Sequence, residues 1–349
     1  MSLERTFTLP ESITTTLAGP LHIISATKYL VATHDDNTNC LIWYYNLSLS
    51  SEPFALRGHT HAVWSLATDS DYLLSGAHDK VILWDLSTKT LVREYLYPAS
   101  TAYGVLFWDQ RTVVSGHFDT LVRVWDRETA VCRRLLAGHG RGVNDLKRYK
   151  GFLLSGAENV RMWDVEAGTC LYVFETDSTW VSVVDVKGDM LAVACLDWTT
   201  KVWNLESKEL VSEMFGHSAR IGDELMISSR IDGGIGIWRK DPVEMTRYYP
   251  PNEIQGMKYP IEHGKFVGGV ISLRLFGDMI TSLSGRGFMV TKREYLPHVV
   301  TLGLPHRHTW AATISGGKAY LLLRIDGRVC LEIWNLYGFD KAMIPSKER

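Results

Sequence analysis

The chain has no surplus of charge of either sign, since 37 Lys and Arg stand against 39 Asp and Glu. That balance gives no sequence-independent pull toward nucleic acid or an anionic membrane, so any charged surface must be local. Cysteine is scarce: Cys40, Cys132, Cys170, Cys195 and Cys330 are odd in number, scattered, and without a CxxC or Cys/His cluster. The pattern excludes a disulfide framework and is expected of buried free thiols in a reducing compartment, the cytoplasm or the nucleus. No stretch approaches the roughly 18 apolar residues of a membrane span, and "MSLERTFTLPES" lacks the apolar core of a signal peptide. No membrane partner is expected. Hydrophobic residues (46%) and tryptophan (12) are abundant, so the chain can bury a large core.

The phrase "LLSGAHDKVILWD" (Leu73–Asp85) comes back as "VVSGHFDTLVRVWD" from Val113 and as "LLSGAENVRMWD" from Leu153. Tryptophans recur at 43, 84, 125, 163, 203, 238 and 334, the first six spaced by 41, 41, 38, 40 and 35 residues. That is the period of a propeller blade. The 96 residues from Trp238 to Trp334 hold one more unit, "DMITSLSGRGFMVTKRE", with Thr291 in the place of the Trp. Eight units result, at 13–57, 58–98, 99–138, 139–176, 177–216, 217–250, 262–304 and 305–340. Within the second, "HAVWSLA", "YLLSGA", "KVILWD" and "LVREYLY" are short β-rich segments divided by turn chemistry, the pattern of four antiparallel strands. The expected fold is all-β, a single eight-bladed β-propeller over residues 1–340. The last unit is one strand short, and "LERTFTL" (3–9) belongs to none. It is expected to complete the last blade and close the ring.

Four polar residues recur at matching places in the units: His59, Ser75, Asp79 and Trp84, and again His217, Ser228, Asp232 and Trp238. Ser115, Asp119 and Trp125 lack the His; Asp197 and Trp203 lack both His and Ser. On these residues the chain resembles the WD-repeat family, in which they form a hydrogen-bonded ladder inside each blade. The physical sense is that a buried carboxylate, imidazole, hydroxyl and indole N–H must satisfy one another. Within that family it resembles the eight-bladed propellers of the F-box/WD-repeat substrate receptors of SCF ubiquitin ligases, the cell-division-control type. The likeness rests on Trp64 and Lys80 in "GHTHAVWSLATDSDYLLSGAHDKVILWD", on the penultimate unit without its Trp, and on the ending "HTWAATISGGKAYLLLRIDGRVCLEIWNLYGFD".

The resemblance implies a protein-interaction module that binds a peptide on its top face. Family receptors read phosphorylated degrons with arginines, but the matching positions here are Tyr103, Phe118, Asn144 and Glu158, and only Lys80 is basic. A phosphopeptide needs clustered cations and bidentate forks. The face is instead expected to be aromatic, with Trp64, Tyr103, Phe118 and Trp310, and with Trp198 as a weaker candidate, among His61, His78, Lys80, Asn144 and Glu158. Partners are other proteins or peptide segments, either a ubiquitin-ligase assembly or a stable complex in which the chain is a scaffold. About a dozen residues precede the first repeat, so no F-box is expected within them.

Other signals carry less. No nucleophile, base and orienter converge, so no enzyme activity is expected. His59 and His61, and likewise His306 and His308, stand two apart and share a strand face, but with no evident third ligand neither pair is assigned a metal, and no cofactor is expected. "DGGIGIW" (232–238) reads as a hairpin turn rather than a phosphate loop. Without a basic surface, base stacking is a weak basis for nucleic-acid binding. From the Gly-His His to the strand Ser is 16 residues in two units (His59 to Ser75, His139 to Ser155) but 11 from His217 to Ser228. That shortfall is expected either to thin an innermost strand and widen the channel near Arg220 and Arg230, or to shift its register. Residues 240–269, with Tyr248, Tyr249, Pro250, Pro251 and Tyr259, read as a long interblade loop, and 341–349 as a polar tail.

Overall fold

The computed structural model describes residues 54–216 and 218–222 and, elsewhere, the strands named below. Among the described residues every regular element is a β-strand, and the strands form eight four-stranded sheets. β1 is Ser2–Thr8. The next sheet runs β2 (Ile23–Ser25), β3 (Tyr29–His34), β4 (Cys40–Asn46), β5 (Phe54–His59). It is followed by β6 (Ser65–Asp69), β7 (Tyr72–Gly76), β8 (Lys80–Asp85), β9 (Thr90–Leu96). Then come β10 (Ala102–Phe107), β11 (Thr112–His117), β12 (Val122–Asp126), β13 (Cys132–Leu136). A fourth repeat of the pattern is β14 (Asp145–Tyr149), β15 (Phe152–Gly156), β16 (Val160–Asp164), β17 (Thr169–Phe174). β18 (Val181–Lys187), β19 (Met190–Cys195), β20 (Thr199–Asn204) and β21 (Leu210–Phe215) make another sheet. β22 (Ser218–Ile221), β23 (Leu225–Ser229), β24 (Ile235–Lys240) and β25 (Val243–Tyr249) make the next. β26 (Val270–Phe276), β27 (Met279–Ser284), β28 (Gly287–Lys292) and β29 (Val300–Leu302) follow. Last are β30 (His308–Ser315), β31 (Lys318–Ile325) and β32 (Arg328–Asn335), with β1 hydrogen-bonded to β32 from Ser2↔Asn335 to Thr8↔Cys330.

The chain divides into two compact units, Thr14–Val186, and Met1–Ile13 together with Lys187–Arg349. In the first, β6 packs beside β10 and β10 beside β14, so the leading strand of each sheet meets the leading strand of the next. The Ser-Gly of the repeated phrase explains how they come so close. A Cβ on Gly116 would lie 2.7 Å from Val143, and one on Gly156 2.7 Å from Val184, so only glycine admits the neighbouring sheet. Between the sheets lie dry clusters. Leu74, Val81, Tyr95, Val113 and Trp125 form one, and Val114, Val124, Val143, Leu153 and Trp163 another. Trp84 and Trp163 are 2% and 1% exposed, so the recurrent Trp is core in each case.

Three expectations change here. The residues missing between His217 and Ser228 do not come from the inner strand. β22 starts directly after His217 and pairs with β23 from Ser218↔Ser229, whereas five loop residues separate His59 from β6. A loop can be shortened without loss of ladder hydrogen bonds, and an inner strand cannot. The segment expected as a loop from residue 240 is strand over Val243–Tyr249, placing Tyr248 and Tyr249 opposite Gly236 and Ile235, and 250–269 lies outside the described residues, as do 341–349. Of the thiols, Cys195 is buried, but Cys132 and Cys170 are exposed on the outer strands β13 and β17. Both stand opposite a core Trp, at the bulge where the outer strand's register shifts.

Candidate functional site: an aromatic face beside the polar ladders

In the unit Thr14–Val186 the ladder fixes the loops that carry the site. Trp84 Nε1 donates to Ser75 Oγ at 2.8 Å, and Ser75 Oγ is 2.7 Å from His59 Nε2. His59 Nδ1 in turn lies 3.2 Å from Asp79 Oδ1. The indole can only donate and the carboxylate only accept, so the hydroxyl proton goes to His59 Nε2 and the Nδ1–H goes to Asp79. His59 ends β5 of the preceding sheet, while Ser75, Asp79 and Trp84 belong to the β6–β9 sheet. The ladder therefore ties one sheet to the next rather than lying inside one blade. Burial raises the Asp79 pKa, but the hydrogen bond and charge of His59 and the Thr60 N–H outweigh it and hold the group down at about 2. Replacing Asp79 by Ala is expected to cost about 1–3 kcal/mol, the penalty of an orphaned buried donor. Urea unfolding of the variant measures it, and an unchanged midpoint would contradict the role. His217 and Asp232 lie outside the described residues, but Trp238 Nε1 donates to Ser228 Oγ at 2.9 Å.

The next two ladders depart from the expected residues. The imidazole expected to be missing beside Ser115 is supplied by His117, two residues along the same strand and on the same face, with Nε2 2.7 Å from Ser115 Oγ. Trp125 Nε1 donates to that hydroxyl at 2.7 Å. Asp119 does not serve this imidazole, since it takes a bidentate pair of bonds from Arg123 at 3.0 and 2.6 Å. Tyr97 packs edge-on against His117, ring centres 4.3 Å apart. In the β14–β17 sheet, Trp163 and His139 meet on Ser155 at 2.7 Å each, and the carboxylate beside His139 Nδ1, at 3.5 Å, is Glu158. Glu158 also accepts the Gly140 and Arg141 N–H groups at 3.0 and 3.1 Å. It thus occupies the place of Asp79 instead of standing free on the face. The signal was the spacing to the Trp: Glu158 to Trp163 and Asp79 to Trp84 are both five residues, with a one-residue deletion upstream of the acid. Burial raises the Glu158 pKa, and the bonds it accepts lower it further than that.

Of the other residues expected on the face, the structure brings three together as a row. Trp64, in the loop before β6, meets Tyr103 on β10 edge to face, with centroids 5.4 Å apart at 84°. Tyr103 meets Phe118, just past β11, at 6.1 Å and 83°. Such edge-to-face pairs are the favoured geometry of aromatic rings. A bulge at Tyr103, where the register of β10 on β11 shifts between Ala102 and Gly104, turns its side chain out of the strand alternation. Trp64 and Tyr103 are half-buried, and Phe118 is 56% exposed, too open to be core. His78 borders the row, bonded to Thr101 Oγ1 at 2.9 Å, with His61 beside it. Two polar candidates are committed elsewhere. Lys80 Nζ is 2.6 Å from Glu94 on the neighbouring strand, and Asn144 Nδ2 donates to Val181 O at 2.9 Å. Each thus already spends one hydrogen bond within the protein. Trp310 lies in β30 and Trp198, 45% exposed, in a turn, both in the other unit; the side chain of Trp310 is outside the described residues.

Residues 50–85, which contain the whole His59–Ser75–Asp79–Trp84 ladder, match the family model described as "WD domain, G-beta repeat". That segment is similar to a WD repeat. It is 31% identical over 151 residues to nuclear distribution protein PAC1 of Zygosaccharomyces rouxii, covering 38% of this chain and 34% of that protein. It is 29% identical over 119 residues to the F-box/WD repeat-containing protein sel-10 of Caenorhabditis elegans (32% and 20%). Over 293 residues it is 23% identical to cell division control protein 4 of Saccharomyces cerevisiae (56% and 38%). The chain thus spans well under half the length of these relatives. In structure it is similar to the computationally designed Ika8 protein, with a TM-score of 0.69 at 19% identity over 91% of this chain and 98% of that one, a likeness of fold alone.

Proposed function

We propose that this chain is a non-catalytic recognition propeller of the cytoplasm or nucleus, its eight sheets arranged as eight blades with β1 completing the last. It binds a peptide segment of another protein on the Trp64–Tyr103–Phe118 face. The observation that carries the reading is that row of edge-packed rings, which the ladders do not use and whose outer end, Phe118, is open to solvent. Aromatic anchors in a polar rim are the usual makeup of a binding hot spot. The similarity to F-box/WD-repeat relatives supports a receptor role in ubiquitin ligation. The similarity to a nuclear distribution protein supports the second reading, a scaffold subunit of another complex.

The two readings share the face, and its chemistry sets the ligand. Lys80 is neutralised by Glu94, so the ring row drives binding by apolar burial, with little dependence on salt or phosphate. The test is a titration of a partner-derived peptide, phosphorylated and unphosphorylated, at low and high salt. The double variant Trp64→Ala, Phe118→Ala is expected to lose about 2 kcal/mol or more, roughly thirtyfold in Kd. A steep salt slope, strict phosphate dependence, or full affinity in the variant would refute it.

A further inference from the structure

Two histidines, His61 and His78, are each tethered through Nδ1 to a threonine hydroxyl. Thr60 Oγ1 lies 3.1 Å from Asp79 Oδ2 and 3.0 Å from His61 Nδ1. The carboxylate can only accept, so the Thr60 proton points to Asp79, and the proton between Thr60 and His61 belongs to the imidazole Nδ1. The Nε2 lone pair of the exposed His61 is left free. His78 Nδ1 lies 2.9 Å from Thr101 Oγ1, a hydroxyl that can accept the Nδ1–H, which leaves Nε2 as the outer nitrogen. The two rings stand 5.3 Å apart, centre to centre, at 53°. Two imidazoles on one tetrahedral zinc, with Zn–N near 2.0–2.1 Å, have centres about 5 Å apart.

We propose that His61 and His78 together form a site for a divalent late transition metal, with Zn2+ as its cation. An imidazole pair favours zinc, nickel or copper over magnesium or calcium. The hydroxyl and carboxylate behind His61 are the outer partners that orient a metal-ligating imidazole. His59 takes no part, since Ser75 and Asp79 use both its nitrogens. The pair that adjacency in sequence suggested, His59 with His61, is replaced by one that the fold assembles from a loop and a turn 17 residues apart. No group of three or more His, Cys, Asp or Glu suited to a metal occurs among the described residues, so the other coordination positions fall to water or to a donor atom of a bound partner. The proposal does not depend on the peptide reading.

The experiment is calorimetric titration of the full, chelator-stripped chain with zinc chloride alone. It is done in a His306→Ala, His308→Ala background, which removes the other histidine pair. One Zn2+ per chain is expected, with no heat from Mg2+. His61→Ala and His78→Ala should each weaken binding at least about tenfold, and Thr60→Val, which keeps both rings, about tenfold. Side-chain 15N spectra of the same background without further changes should show Zn2+ shifting Nε2 of His61 and His78 while His59 stays put. Absence of stoichiometric uptake, undiminished affinity in both single-histidine variants, or shifts confined to other histidines would overturn the site.

Discussion

Acidification from about pH 6.5 to about pH 4 is expected to remove about 3 kcal/mol of stability through His139 alone. Burial lowers this imidazole to about 4, with the nearby Arg161 charge acting in the same sense and Glu158 only partly opposing it. Unfolded, the group titrates near the ordinary imidazole value of 6.5, so below that pH the unfolded chain binds a proton that the folded chain refuses. Stability is complete above that value and falls as the pH drops toward the folded one. His117 acts with the same sign. It is fully buried, its Nδ1 has no hydrogen-bond partner, and burial followed by the Arg123 charge pushes its pKa down. Asp79 adds its share at lower pH, between 3.8 and about 2. Because folded domains hold only about 5–15 kcal/mol, the sum should bring the transition within reach of mild acid. Melting curves across this range test it. The double variant His117→Phe, His139→Phe should show a flatter profile, and a wild-type midpoint that does not move would contradict it.

Deleting residues 1–9 is expected to have an effect of comparable size. β1 pairs with β32 over six registered positions from Ser2↔Asn335 to Thr8↔Cys330. Its loss bares a long β32 edge, a template for pairing with another chain. At about 1 kcal/mol net per hydrogen bond the cost is on the order of 3–6 kcal/mol, with aggregation as its visible sign. Melting and light scattering of the truncated chain measure both. A monodisperse product with unchanged melting would contradict a stabilising role for the β1–β32 pairing.

Much of the strand order was legible because each unit repeats its own punctuation. Ser75, Ser115 and Ser155 each take an indole N–H from Trp84, Trp125 and Trp163, as the repeated phrase indicates. Three of the four rings expected on the face, Trp64, Tyr103 and Phe118, meet as a row, and they were legible because they occupy positions that the repeats mark as lying near a turn. What misled was alignment by type. His117 was hidden because it reaches Ser115 from its own strand, and Glu158 because a one-residue deletion displaced it from the offset seen at Asp79.

The sequence by itself determined the local elements, because strand alternation, turn residues and a period near forty depend only on neighbours along the chain. Tertiary structure alone decided which polar groups remain free. Lys80 meets Glu94, Asn144 meets Val181, and His61 meets His78 across loops distant in sequence. Such pairings follow from where backbone hydrogen bonding sets adjacent sheets. A shift of register or a deletion of one residue is enough to move a side chain from the open face into a ladder.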